Sequence, residues 1–200
     1  MIDEGYIKYE CRWQKISAIV ESDIRELNPW RKKLYELGLI GEYENGIGFG
    51  NLSVRLPNSH QLIISGTRTG GLAELTSQHY TKVVKYDWEQ NYVVCQGTIE
   101  ASSETLTHAA IYQALPGANA VVHVHHQLLW EKLMDRVPTT NRDSAYGTPE
   151  MAREIIRLCQ QPDTQQQKII AMSAHQSGIL TFGANLDEAG TMLLKYLVTV

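Results

Sequence analysis

Apolar residues recur along this chain with two spacings, and the switches between them mark out its elements. Alternating or short β-branched runs between turn residues predict strands. These are Asn51 to Leu56 and Gln61 to Ser65, joined at Pro57-Asn58-Ser59, then Lys82 to Asp87 and Tyr92 to Gln96, joined over Trp88 to Asn91. Ala120 to His125 follows, and later Lys168 to Ala174 with Ile179 to Phe182 around Gly178. Helical spacing predicts one helix over Trp13 to Glu26 and another over Trp30 to Leu37, the latter opened by Asn28-Pro29 and closed by Gly38. A third opens at Ser102-Ser103-Glu104, with a Ser cap, and stops at Pro116-Gly117. Others cover Leu128 to Met134, Thr148-Pro149-Glu150 to about Leu158, and the stretch from Asn185, with Glu188 in capping-box spacing. Gly46 to Gly50 and the polar stretch Gln160 to Gln167 read as loops. Hairpins mixed with helices imply an α/β fold with a mixed, mostly antiparallel sheet covered by helices, rather than a repeated βαβ unit.

Two hundred residues suffice for one sizeable core, so a single domain over residues 1–200 is expected. A net charge of -4 without a basic cluster argues against nucleic acid as the main partner. The start of the chain lacks a basic region followed by an apolar one, and no run approaches the roughly 20 apolar residues of a membrane span. No membrane association and a cytoplasmic location are therefore expected. Cys11, Cys95 and Cys159 are odd in number and form no C-x-x-C pair, which fits packing residues in a reducing compartment.

Chemistry concentrates in Ala101 to His126. In the strand Ala120 to His125, alternate residues share a face, so His123 and His125 project together, a rigid pair suited to chelating zinc, copper, iron or nickel. The plainer alternative is two histidines that pack without a ligand. His126 points the other way, as a structural residue. Glu104 lies in the first turn of the preceding helix, where a carboxylate also complements the helix dipole. His108, four residues on, makes Glu104/His108 a rival metal pair. Ser102 and Ser103 offer hydroxyls beside unpaired first-turn amides, an arrangement that can hold an anion. Two glycine-bearing segments, Gly48 to Ser53 and Ser65 to Gly71, let backbone approach an oxyanion closely, although neither is a GxxxxGK[ST] loop or a dinucleotide fingerprint.

Taken in order, these residues resemble the class II aldolase/adducin family. Gly50-Asn51-Leu52-Ser53-Val54-Arg55 resembles its GN-x-S-x-R segment, Ile64-Ser65-Gly66-Thr67 its phosphate-loop strand, and Ser102-Ser103-Glu104 its SSE signature. Ala118 to His125 is similar to its AVVH-x-H strand, and Tyr146-Gly147-Thr148 to a later segment. The resemblance implies a three-layer α/β/α sandwich, a homotetramer with active sites between subunits, and Zn2+ as cofactor. It implies metal ligation by His123, His125 and a third histidine, with Glu104 both ligand and general acid/base. The family usually places that third histidine directly before a glycine, whereas Ser177 precedes Gly178 here. His175 would serve if the stretch stays extended, since positions one and three before the glycine share a strand face. Asn51, Ser65, Gly66, Thr67, Ser102 and Ser103 would hold a substrate phosphate, with Arg68 and Thr69 as further contacts. Tyr146 stands for the proton-donating tyrosine, in a segment that is shortened here. The implied activity is reversible aldol cleavage of a small phosphorylated ketose to dihydroxyacetone phosphate and an aldehyde. Two alternatives remain open: a dehydratase or epimerase of the same family, and a non-catalytic scaffold like the adducin head.

Overall fold

Leu62 and Ile64 pack to one side of their strand while Ile63 packs to the other. The same alternation in Val121 against Ala120, Val122 and Val124 divides the apolar residues into two cores separated by a sheet. The computed structural model describes residues 5–198. Its strands are β1 (Glu10–Lys15), β2 (Gly41–Glu42), β3 (Gly48–Phe49), β4 (Asn51–Arg55), β5 (Leu62–Ser65), β6 (Tyr80–Asp87), β7 (Tyr92–Gly97), β8 (Ala120–His125), β9 (Ile169–Ala171) and β10 (Gly178–Gly183). Eight form one sheet in the order β1-β7-β6-β5-β4-β8-β10-β9, and β2 pairs with β3 in a separate hairpin. All neighbours in the large sheet run antiparallel except β1 with β7.

The helices are α1 (Leu27–Glu36), α2 (Thr105–Ala114), α3 (Gln127–Leu133), α4 (Pro149–Cys159), α5 (Pro162–Gln167) and α6 (Leu186–Leu197). Leu27, Leu34, Leu129, Leu133, Leu186, Ala189 and Leu193 bring α1, α3 and α6 onto one face. Leu106, Ala109, Ala110, Met151, Ala152 and Ile155 bring α2 and α4 onto the other. The result is the expected three-layer α/β/α arrangement on a mixed, mostly antiparallel sheet. Strand β8 lies between β4 and β10 and is buried along its whole length. Its odd-numbered residues follow Val121 to the α2 side, and that alternation carries His123 and His125 there too.

The structure corrects several expected elements. No helix covers Trp13 to Glu26; β1 and a short 3-10 turn, Glu21–Ile24, stand in its place. The signal lay just upstream, where exposed Glu10, Arg12 and Gln14 alternate with half-buried Cys11 and Trp13. Cys11 packs thiol to thiol against Cys95 at 3.8 Å across the β1/β7 pair, and all three cysteines are free. The polar stretch after Gln161 is helical, as α5, started by Pro162 and closed by Lys168 in the left-handed region at φ 53°. Helix α2 begins one residue after Glu104, and no serine side chain caps it.

Candidate metal and anion site

Three buried histidines meet at the end of β8. His123 and His125 sit 4.9 Å apart between ring centroids, and His175 lies 5.0 Å and 4.7 Å from them. One nitrogen from each falls within 4.8 Å of the others. His175 does not arrive on an extended strand, as the sequence suggested. It sits in a turn in which the His175 N–H donates to Met172 O at 3.3 Å and the Gly178 N–H donates to His175 O at 2.8 Å. Ser177, in the left-handed region at φ 66°, reverses the chain before β10. Gly178 pairs with His125 in the sheet, and a Cβ there would stand 3.3 Å from His123 Cε1 and 2.9 Å from His175 O. A residue larger than glycine would press on two of the three rings.

Hydrogen bonds settle which ring atoms face inward. His123 Nδ1 lies 3.2 Å from Ile179 O, a carbonyl that only accepts, so this nitrogen carries the proton and Nε2 keeps its lone pair. That Nε2 faces His125 Nε2 at 3.1 Å. Two bare lone pairs repel at such a distance, so a proton or a cation must lie between them. Tetrahedral zinc with bonds of about 2.0 to 2.1 Å separates its donor nitrogens by about 3.3 Å, close to this spacing. His125 Nδ1 is 2.8 Å from the Tyr43 hydroxyl, which can accept the Nδ1 proton when Nε2 binds a cation. Burial first, and then the neighbouring imidazoles, hold His123 and His125 well below the ordinary histidine pKa. Both imidazoles are neutral at neutral pH. The donor set and its outer hydrogen bonds fit a divalent cation of the zinc type.

Glu104 caps α2 with its backbone near φ -89° and ψ 7°, and its Oε1 lies 3.5 Å from His175 Nδ1. The rival pair does not form. His108 is fully buried with Nδ1 2.8 Å from Ser53 Oγ, and burial pushes its pKa down to about 3. His126, as expected, is structural: its ring caps α3 by accepting the Leu129 N–H at 3.1 Å.

A glycine-rich cradle that is a candidate anion site adjoins the histidines, since Asn51 pairs directly with His123 across β4 and β8. Gly48, Gly50, Asn51, Gly66 to Gly70, Ser102 and Ser103 line it, together with Gly5. Gly50 turns the chain at φ 75°, and a Cβ on it would meet Ile40 at 2.8 Å. A Cβ on Gly70 would lie 2.2 Å from Gly41 O, so backbone packs on backbone here. Asn51 Oδ1 is buried and has no hydrogen-bond partner among the described residues. Turned about its last side-chain bond, this amide would offer an anion an N–H donor. The Gly66 and Thr67 amides already donate to His79 O and Glu100 O, so neither is free to receive an anion. Ser65 stands behind the cradle, where its hydroxyl accepts the Leu52 N–H at 3.3 Å. Ser102 Oγ accepts the Glu104 N–H at 3.3 Å.

Tyr146 is buried with its ring stacked on His175 at 4.6 Å. Sequence reasoning missed two groups of neighbours. Tyr43 and Phe49 flank His125 from the β2/β3 hairpin, which the Asn45-Gly46 dipeptide announces. Tyr6 and Lys8 approach Tyr146 from the start of the chain, where nothing in the local pattern marks them. A separate cavity of about 530 Å³ between residues 21–32 and 73–75 contains none of the residues discussed here.

A family model described as Class II Aldolase and Adducin N-terminal domain matches residues 33–196. Among solved structures, an L-fuculose 1-phosphate aldolase is similar at a TM-score of 0.69 and 21% identity, over 91% of this chain and 84% of that one. A sugar-phosphate aldolase from Thermotoga maritima is similar at 0.63 and 17%, over 88% and 90%. The N-terminal class II aldolase domain of a conserved Thermoplasma acidophilum protein gives 0.64 and 18%, over 92% and 94%.

Proposed function

Because the chain belongs to the class II aldolase and adducin family, we propose that it is a zinc-dependent lyase cleaving a small phosphorylated ketose reversibly to dihydroxyacetone phosphate and an aldehyde. The observation that carries this reading is the buried cluster of His123, His125 and His175 beside Glu104. Bound there, Zn2+ supplies a Lewis acid that offsets the negative charge developing on substrate oxygens as the carbon–carbon bond breaks. The protein supplies the rest. Glu104, as general acid/base, moves the proton between carbon and oxygen of the dihydroxyacetone phosphate half, a contribution typically of about 10² to 10⁴-fold. It also completes the metal's ligands when substrate is absent. Tyr146 donates a proton to the oxygen of the aldehyde half.

Asn51, Thr67, Ser102 and Ser103 hold the phosphate through side-chain donors, and Gly66, where a Cβ would meet Ile99 at 2.5 Å, lets the loop lie close beneath it. Ser65 supports them from behind by fixing the β4 backbone at Leu52. Arg68, which also lines the cradle, supplies charge, and the Thr69 hydroxyl braces the loop by donating to Gly66 O at 2.8 Å. In this reading the chain is one domain over its length and works as a homotetramer.

The second reading, dehydration or epimerisation through the same charge-stabilising site, is favoured by another similar structure. YgbL from Escherichia coli, for which aldolase, epimerase or decarboxylase activity is put forward, has a TM-score of 0.62 and 19% identity over 88% of this chain and 84% of that one. One experiment separates the readings. Zinc-loaded protein is assayed on a panel of ketose 1-phosphates for dihydroxyacetone phosphate, for inverted sugar and for dehydrated product, with and without chelator. Dihydroxyacetone phosphate released only with metal supports the lyase. Inversion or dehydration without cleavage replaces it with the second reading. Protein that binds no zinc and transforms no substrate is the outcome expected of a scaffold.

A further inference from the structure

Helix α1 buries a stripe that runs Leu27, Arg31, Leu34, so a guanidinium stands where the helical period calls for an apolar side chain. Arg31 is 1% exposed. Its Nη2 donates to Thr69 O at 3.0 Å, Gly70 O at 2.8 Å and Leu72 O at 2.7 Å. Tyr35, one turn further along α1, donates its hydroxyl to Gly71 O at 3.3 Å. Four consecutive carbonyls of the loop beside the cradle are thus turned toward α1, and Thr69 and Gly70 themselves line the cradle.

The charge that holds them is not neutralised. Arg31 pairs with no carboxylate among the described residues; it lies beside the Tyr35 ring, 5.0 Å from Cζ, and near Tyr80. Nη1 is buried without a hydrogen-bond partner among the described residues. Glu42 sets its carboxylate against Gly71 instead, where a Cβ would meet Oε2 at 2.7 Å. A buried cation without a counter-ion is costly, and carbonyl dipoles offset only part of that cost. An anion in the cradle would supply the missing charge. Among the described residues the cradle lining holds one cation, exposed Arg68, and no carboxylate that would oppose an anion.

We propose that Arg31 is the buried counter-charge of the anion held in the cradle, a positioning residue that fixes the loop at 69–72 and tunes the site to a doubly charged phosphate over singly charged groups such as carboxylates. The proposal rests on the sugar-phosphate reading of the cradle. Across one peptide layer, with water screening the open side, a unit charge changes an equilibrium by about threefold per charge on the anion. The preference of the site for dianion over monoanion is therefore the quantity that Arg31 moves.

The test titrates the zinc-loaded full chain with inorganic phosphate at about pH 6 and about pH 8, between which phosphate passes mainly from monoanion to dianion. Arg31→Gln keeps an amide donor for the loop and loses the charge, so its affinity is expected to fall about tenfold at the higher pH and about threefold at the lower. Arg31→Lys keeps the charge and is expected to stay within about threefold at both. Tyr35→Glu sets a carboxylate one turn from an unaltered Arg31, and against Tyr35→Gln it should show losses of about tenfold and about threefold again, which carries the test if Arg31→Gln does not fold. Losses equal at the two pH values, or no difference between Tyr35→Glu and Tyr35→Gln, overturn the counter-charge and leave the sugar-phosphate reading standing. So does a loss in Arg31→Lys as large as in Arg31→Gln. Phosphate binding by no form, the unsubstituted chain included, overturns that reading and the proposal with it.

Discussion

Replacing Tyr43 by Phe removes one oxygen and tests the metal reading at a residue outside the lining of the cradle. The Tyr43 hydroxyl stands 2.8 Å from His125 Nδ1. For His125 to ligate through Nε2, the ring proton must sit on Nδ1, and the tyrosine oxygen is its acceptor. In Tyr43→Phe that N–H loses this acceptor, a loss of about 1 to 3 kcal/mol. Metal-free protein also loses a hydrogen bond, because there the tyrosine can donate to Nδ1 instead, so part of this cancels. Outer partners of ligating histidines usually account for 10- to 100-fold in metal affinity. The cancellation places Tyr43→Phe near the lower end, at about tenfold weaker zinc binding, or about 1.4 kcal/mol. Competition against a chromophoric chelator at pH 7.5 measures it, with the melting temperature of metal-free protein as the control for packing. Zinc affinity within twofold of the unsubstituted protein, in a normally folded variant, would refute the assignment of Nε2 as the His125 ligand atom.

Three further outcomes follow from the geometry. His175→Ala removes one donor of a site whose zinc affinity typically totals about 10 to 16 kcal/mol, and the same competition assay should show about a hundredfold loss. Burial lowers the His108 pKa to about 3 in the folded chain, against 6.5 as the ordinary value. Its contribution to stability is therefore complete above pH 6.5 and is lost as pH falls toward 3. At pH 5 this amounts to about 2 kcal/mol, read from denaturant titrations of metal-free protein, and His108→Gln should flatten the dependence between pH 6.5 and 5. Gly70→Ala places a Cβ 2.2 Å from Gly41 O, so the segments must part. A stability loss of about 1 to 3 kcal/mol, with weakened phosphate binding, is expected from denaturant titration and calorimetry.

The central strands were legible because alternation survives in them: β4, β5 and β8 carry apolar residues to two helical layers, and the pattern shows it. The His123/His125 pair was legible for the same reason. His175 does join the histidine cluster, but by a turn at Ser177 and not by the extended geometry the sequence suggested; periodicity carries no information about a left-handed residue inside a loop. Strand β1 was read over because exposed and half-buried residues alternate there on a sheet edge, a weak contrast beside the apolar residues downstream. Tyr6 and Tyr146 are 140 residues apart in sequence, and local patterns do not encode long-range pairing. Ser65 accepts the Leu52 N–H through its hydroxyl oxygen, a cross-strand contact that residue type alone does not announce.

The descent of His175 from a turn between β9 and β10, rather than from β8, has a mechanical meaning. A cation shared by His125 and His175 closes a loop of about 50 residues, and as a cross-link that restricts the unfolded chain by about 4 kcal/mol. It rivets the last two strands and α6 to the middle of the sheet at one point. Stripping the metal would therefore loosen the C-terminal third of the molecule first, and the seam between β8 and β10 is where the protein would begin to come apart.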